Sequence, residues 1–166
     1  MKRLSVIATL SVLLAACSMS LSPEQSSKLD REYRPVVNRF IPECIAAASG
    51  KQPNYAAIRA LGYTQRNSVI GSGVYLAPAD KGFMSKEGIK LVTGQGCFAG
   101  HDGISGVALG GLHQTGQVWV RALEAAGYRN TSSDPSVFSF VANGVKMNFT
   151  GSQSDGTNVF SITKAR

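Results

Sequence analysis

Histidine, tryptophan and charged side chains are scarce in this sequence. Its two histidines, His101 and His113, cannot make the HExxH pattern of a helical zinc site, and its three cysteines never pair as CxxC. No Gly-x-Ser-x-Gly turn frames a serine nucleophile. Lys and Arg outnumber Asp and Glu by 17 to 10, yet they are scattered, so the chain lacks the clustered basic footprint of a nucleic-acid binder. Only 16% of the residues are charged while 18 are glycine, a balance that suits a β-rich, turn-rich domain better than a helical bundle. No apolar run reaches the roughly twenty residues that a transmembrane helix needs.

What is present begins at the N-terminus. Lys2 and Arg3 precede an apolar stretch from Leu4 to Ala16, which closes in Leu14-Ala15-Ala16-Cys17. A basic start, an apolar middle and small residues before a cut are the parts of a secretory signal. The cysteine directly after the small residues resembles the lipobox of bacterial lipoproteins. That resemblance implies that residues 1–16 are a lipoprotein signal peptide and that Cys17 becomes the acylated first residue. Residues 17–21 are then a lipidated tether, and residues 22–166 a single domain. Several acyl chains hold firmly where one binds only marginally. Ser18, in place of an aspartate, points to the outer membrane, facing the periplasm, rather than the inner one. Losing Lys2 and Arg3 lowers the formal charge from +7 to +5.

Cys44 and Cys97 remain. In an oxidising, exported setting a lone pair of cysteines is most simply a disulfide. Closing a loop of about 54 residues stabilises the fold by roughly 4 kcal/mol. The competing reading, a reactive Cys97 thiol beside His101, requires a cysteine that stays reduced and has a base in reach.

The pattern along the domain predicts an α+β fold, with N-terminal helices and an antiparallel sheet. Ser22, Pro23 and Gln25 make a helix start with a capping box, and Pro35 should kink or end that helix near Tyr33. Val36, Val37, Phe40, Ile41, Cys44 and Ile45 recur at helical spacing, with Gly50 as the stop. A short helix over Pro53–Leu61 follows. Strands are expected over Ser72–Leu76, Gly88–Thr93 and around Cys97 and Phe98, then a loop from Gly100 to Gly111. A helix starting near Thr115 or Gly116 carries Val118, Ala122, Ala125 and Ala126 on its apolar face and ends at Gly127. Asn143-Gly144 predicts a type I′ hairpin between Val137–Ala142 and Val145–Thr150. It pairs Ala142 with Val145, Phe140 with Met147 and Phe138 with Phe149 on one buried face. Asn158–Thr163 is the last strand. Ile58-Arg59-Ala60-Leu61-Gly62-Tyr63 matches Leu123-Glu124-Ala125-Ala126-Gly127-Tyr128, which suggests two degenerate helix-then-three-strand units.

Little of this is chemistry. His101-Asp102 lies in the expected loop, where His113, Ser105 or Cys97 could join it, but no third orienting acid is recognisable. Both histidines are expected on the surface and apart. Tyr55, Tyr63, Tyr75 and Tyr128 read as core, and Trp119 as the best candidate for an exposed contact. The expectation is a non-enzymatic, membrane-anchored binding or accessory protein of the envelope, with no cofactor, no metal and no nucleic acid. Its partners are the membrane, through the lipid, and an envelope protein or glycan. An inhibitor or exclusion factor acting on a foreign enzyme or phage component is the alternative, and a hydrolase using the His101 region a third.

Overall fold

A computed structural model describes residues 22–66, 72–80, 87–101 and 111–166. The leader, Cys17 and the tether lie outside these residues.

The first helix opens as its sequence predicts. The Ser22 hydroxyl accepts from the Gln25 backbone N–H at 3.2 Å, and the Gln25 side chain accepts from the Ser22 N–H at 3.0 Å. The helix α1 (Pro23–Lys28) does not stop at Pro35. It widens into a π-helical turn over Leu29–Tyr33 and continues as α2 (Arg34–Ala48). The physical reason is the proline itself. Pro35 has no N–H to offer the Arg31 carbonyl, and its ring would press on that carbonyl in an α-turn. The wider turn relieves this, with the Arg34 N–H reaching back to the Leu29 carbonyl. The inward face of α2 is the predicted one: Val37, Phe40, Ile41, Cys44 and Ile45 are buried. Gly50 ends the helix at φ +76°. The expected second helix is shorter than its pattern, α3 (Tyr55–Arg59), capped by Asn54.

Seven strands form one antiparallel sheet: β1 (Tyr63–Arg66), β2 (Val74–Pro78), β3 (Gly88–Val92), β4 (Gly96–His101), β5 (Phe138–Ala142), β6 (Val145–Ser154) and β7 (Thr157–Lys164). Helix α4 (Leu112–Ala125) separates β4 from β5. The spatial order is β1-β2-β3-β4-β7-β6-β5. Two meanders, one of four strands and one of three, therefore meet at the β4–β7 seam. Strand β1 was not expected. Its side chains Thr64 and Gln65 are exposed, so it carries no apolar alternation.

The seam is tight at Gly96. Its φ is +133°, and a Cβ there would lie 2.0 Å from the Ile162 carbonyl oxygen, so only glycine fits. The Asn143-Gly144 hairpin has the predicted register: Phe138 opposite Phe149, Phe140 opposite Met147, Ala142 opposite Val145. These residues are buried except for Val145, which is half-buried. A second two-residue turn, Asp155-Gly156, joins β6 to β7 and makes β6 longer than expected.

The helices bury one face of the sheet. Helix α4 starts at Leu112, earlier than predicted; Val118 points inward as expected and Ala122 is half-buried, but Thr115, Trp119 and Leu123 complete the buried face while Ala125 and Ala126 are exposed. The expected face was drawn through the alanines, but Trp119 and Leu123 bury far more apolar area. Trp119 stacks on Phe149 and Phe160 with ring centroids 5.7 and 5.8 Å apart. Cys44 on α2 and Cys97 on β4 are joined by a disulfide, with Cα atoms 4.9 Å apart.

Candidate functional site

Strand alternation decides what becomes of the His101 region. Cys97, Ala99 and His101 lie on the same face of β4, and that face is the core. His101 is thus a strand residue, opposite Asn158 of β7, and not part of a loop. It is 4% exposed, which corrects the expectation of a solvent-facing imidazole. The Tyr33 ring meets it edge-on at a centroid distance of 4.6 Å, and Phe160 lies 6.3 Å away. Its Nε2 is buried with no hydrogen-bond partner. Burial alone pushes its pKa down to about 4, so the ring is neutral near pH 7.

A small polar cluster surrounds this end of the seam. Asn158, fully buried, donates to the Thr115 hydroxyl at 3.5 Å and accepts from the Gln153 amide at 3.0 Å. Thr115 in turn donates to the Gly111 carbonyl at 3.0 Å. The Thr157 hydroxyl is buried and unpaired. Tyr33, at the end of the π-helical turn, accepts a hydrogen bond from the Trp119 indole N–H at 2.7 Å. Burial raises the Tyr33 phenol far above its ordinary pKa, so it stays protonated.

These groups make a poor acid–base device. A general base must reach a proton directly or through one water. Here the imidazole is enclosed by aromatic rings and held neutral by desolvation, and the Cys97 sulfur is bonded to Cys44. His113 is exposed in the first turn of α4, on a different element from His101. Asp102 and Ser105, the other residues singled out by sequence, lie outside the described residues. Among the described residues no three His, Cys, Asp or Glu side chains gather as metal ligands. Gly94-Gln95-Gly96 forms the β3–β4 turn and the start of β4.

The aromatic residues divide differently from their sequence pattern. Trp119 is completely buried and meets its hydrogen-bonding need inside the core, so it is not a surface contact. Tyr63 packs against Phe40, and Tyr128 against Phe140. Among the described residues the exposed large aromatic is Phe98, 40% accessible on the sheet face opposite the helices. It shares β4 with Cys97, as the sequence pattern predicts. The alternation alone fixes its face, because Cys97 must face α2 to bond with Cys44 and Phe98 must then point away.

Comparison of the chain with protein-family models, curated proteins and solved structures finds no match. Among the described residues no helix is long and apolar enough to cross a membrane.

Proposed function

We propose that this chain is a lipid-anchored protein of the cell envelope, on the outer membrane facing the periplasm, that works by binding and not by catalysis. The lipobox ending at Cys17 carries the anchoring. Export also accounts for the Cys44–Cys97 disulfide, since such bonds persist in oxidising compartments. Within the domain, the His101 imidazole is buried in the core, and the exposed His113 lies on another element. The residues left accessible on the helix-free sheet face are suited to contact: an aromatic ring, basic side chains and hydroxyls.

The anchoring is tested by Cys17→Ser. The variant is expected to accumulate as an unprocessed, non-acylated precursor that fractionates away from the membrane. Normal retention at the mature size would overturn the reading. Crosslinking of the wild-type protein in intact envelopes, followed by mass spectrometry, tests the binding role. Crosslinks from the helix-free sheet face are expected.

A further inference from the structure

The helical segment that ends in α2 is held to β4 at two points. At one, Cys44 is bonded to Cys97. At the other, Tyr33, closing the π-helical turn, meets His101 edge-on with ring centroids 4.6 Å apart. The spans between these points match. From Tyr33 to Cys44 the helix advances roughly 16 Å at about 1.5 Å per residue, and from Cys97 to His101 the strand advances roughly 13 Å at about 3.3 Å per residue. The first attachment is covalent. The second is ring packing, with the hydrogen bond that Tyr33 accepts from the Trp119 indole at 2.7 Å. Ahead of Tyr33 the chain is weakly held. Leu29 and Tyr33 are the buried residues of the π-helical turn, and α1 buries none.

We infer that this second attachment is an acid-sensitive latch: protonation of His101 frees the π-helical turn and α1 from the sheet, while the disulfide keeps the rest of α2 in place. Its consequence rests on the reading of the chain as lipid-anchored, because the freed segment then lies between the acylated Cys17 and the sheet. The His101 Nε2 is buried without a hydrogen-bond partner, so a proton on the ring creates a charge that nothing nearby receives. Tyr33, from the π-helical turn, is a protonated phenol. Strand β7 brings Asn158 and Phe160 to this end of the core, and α4 brings Thr115 and Trp119, none of them ionised. Glu87, ahead of β3, acts on Tyr33 and Tyr63, and among the described residues no charge acts on His101 itself. Attraction to the neighbouring rings recovers only part of the cost of a buried, unpaired cation. The charge must reach water, and the walls around it resist unequally. Strand β4 is laddered to β3 and β7 on its two sides, and α4 is fixed by Trp119 and Leu123 in the core. The π-helical turn gives way first, since segments with few buried groups open most easily. Passing Pro23–Tyr33 from helix to extended chain adds at most about 20 Å to the reach of the anchored domain.

The test is hydrogen exchange of the protein as isolated from cells, in non-ionic detergent, read by mass spectrometry and corrected for the intrinsic effect of pH. The imidazole has a pKa of about 4 when enclosed against 6.5 when open to water, so the open form takes up the proton first and opening grows as pH falls below 6.5. Between pH 7 and pH 4.5, protection over Leu29–Tyr33 is expected to fall roughly fiftyfold, while the amides of β6 and β7 stay better protected throughout. His101→Leu should hold the protection of the turn nearly constant over this range. His101→Gln, polar and equally unable to titrate, is the second variant. Both keep the exposed Asp30–Arg34 pair of the same segment, so they separate the imidazole from the carboxylates. Unchanged protection in the wild type overturns the proposal, as does a fall of the same size in both variants. Equal opening of the turn and of β7 at every pH overturns it too, because the segment would then leave only by global unfolding. Cys17-dependent membrane retention is scored on the same preparations. Retained protein whose turn ignores pH sinks this inference alone, and pH-dependent opening without Cys17-dependent retention sinks the anchored reading alone.

Discussion

In the second half of the sheet, Asn143-Gly144 and Asp155-Gly156 close β5–β6 and β6–β7 with two residues each, and all four have positive φ. In the first half, β1, β2 and β3 are joined by longer connections over residues 67–73 and 79–87. There the tie to the helix layer is covalent, Cys44 to Cys97. The helix of the second half has no such bond and is held by Trp119 and Leu123 in the core. A two-residue I′ turn fixes register locally, because its twist matches that of the strands. Longer loops leave register to burial and to cross-links. The halves thus each place a helix before a meander, by two routes, but the first meander has four strands and the second three, which corrects the expected pair of helix-then-three-strand units. Even the helix exits agree: Gly62 and Gly127 have φ of +85° and +89°, Ile58 and Leu123 are fully buried, and each glycine is followed by a tyrosine packed on a core phenylalanine.

The sharpest way to break this comparison is to strike the seam that both halves share. Gly96→Ala forces a Cβ to within 2.0 Å of a backbone oxygen of β7, and backbone on both sides must move. A loss of more than about 4 kcal/mol is expected by urea denaturation, and both halves should unfold in one transition. Two separate transitions would show that the meanders are stable without each other. Next in size is the covalent tie. Cys44→Ala with Cys97→Ala should cost roughly 4 kcal/mol in the oxidised protein. The same pair of changes made under reducing conditions should cost much less, which separates cross-linking from packing.

The turn-specified half is tested in its core. Phe140 is 1% exposed and packs against Phe138 and Tyr128. Phe140→Ala should cost about 3–4 kcal/mol in a chemical denaturation. A loss under about 0.5 kcal/mol would mean that the hairpin contributes little to the core and that the seam alone holds the second half.

Much of this fold is legible in the sequence wherever local chemistry and burial agree. The capping box at Ser22, the face of α2, the disulfide and the Asn143-Gly144 register all follow from spacing and residue type. Asp155-Gly156 carries the same signal as Asn143-Gly144, and reading it as a turn extends β6 to Ser154. What could not be read was set by tertiary context. Strand β1 lacks apolar alternation and pairs only because β2 offers an edge. The π-helical turn depends on tertiary packing that keeps the helix going through Pro35. The candidate site failed for a related reason: two glycines around His101-Asp102 look like a loop, but pairing with β7 carries β4 one residue past Gly100, and that residue is His101. The open face was recoverable, since alternation from Cys97 fixes the direction of Phe98, yet nothing in the sequence says which strands are neighbours across it.

His101 sharpens the comparison at the place where the halves join, and its expected effect is the smallest. Its pKa is about 4 in the folded protein against 6.5 for an unburied imidazole. Between those values the unfolded chain binds a proton that the folded chain does not, so stability rises with pH across this window. The contribution is complete above about pH 6.5 and is lost as pH falls toward 4, on the order of 3 kcal/mol in all. His101→Leu removes the titrating group and also the unpaired Nε2, whose desolvation the fold otherwise bears. The variant should therefore be close to wild type or more stable at pH 7.5. Its advantage should grow as pH falls toward 4, measured by urea denaturation at each pH. Parallel curves for the two proteins would mean that His101 gains a partner or a proton in the folded state, and would reopen it as a functional group. A steep acid loss in wild type alone would place the weakest point of the fold at the β4–β7 seam rather than in either half.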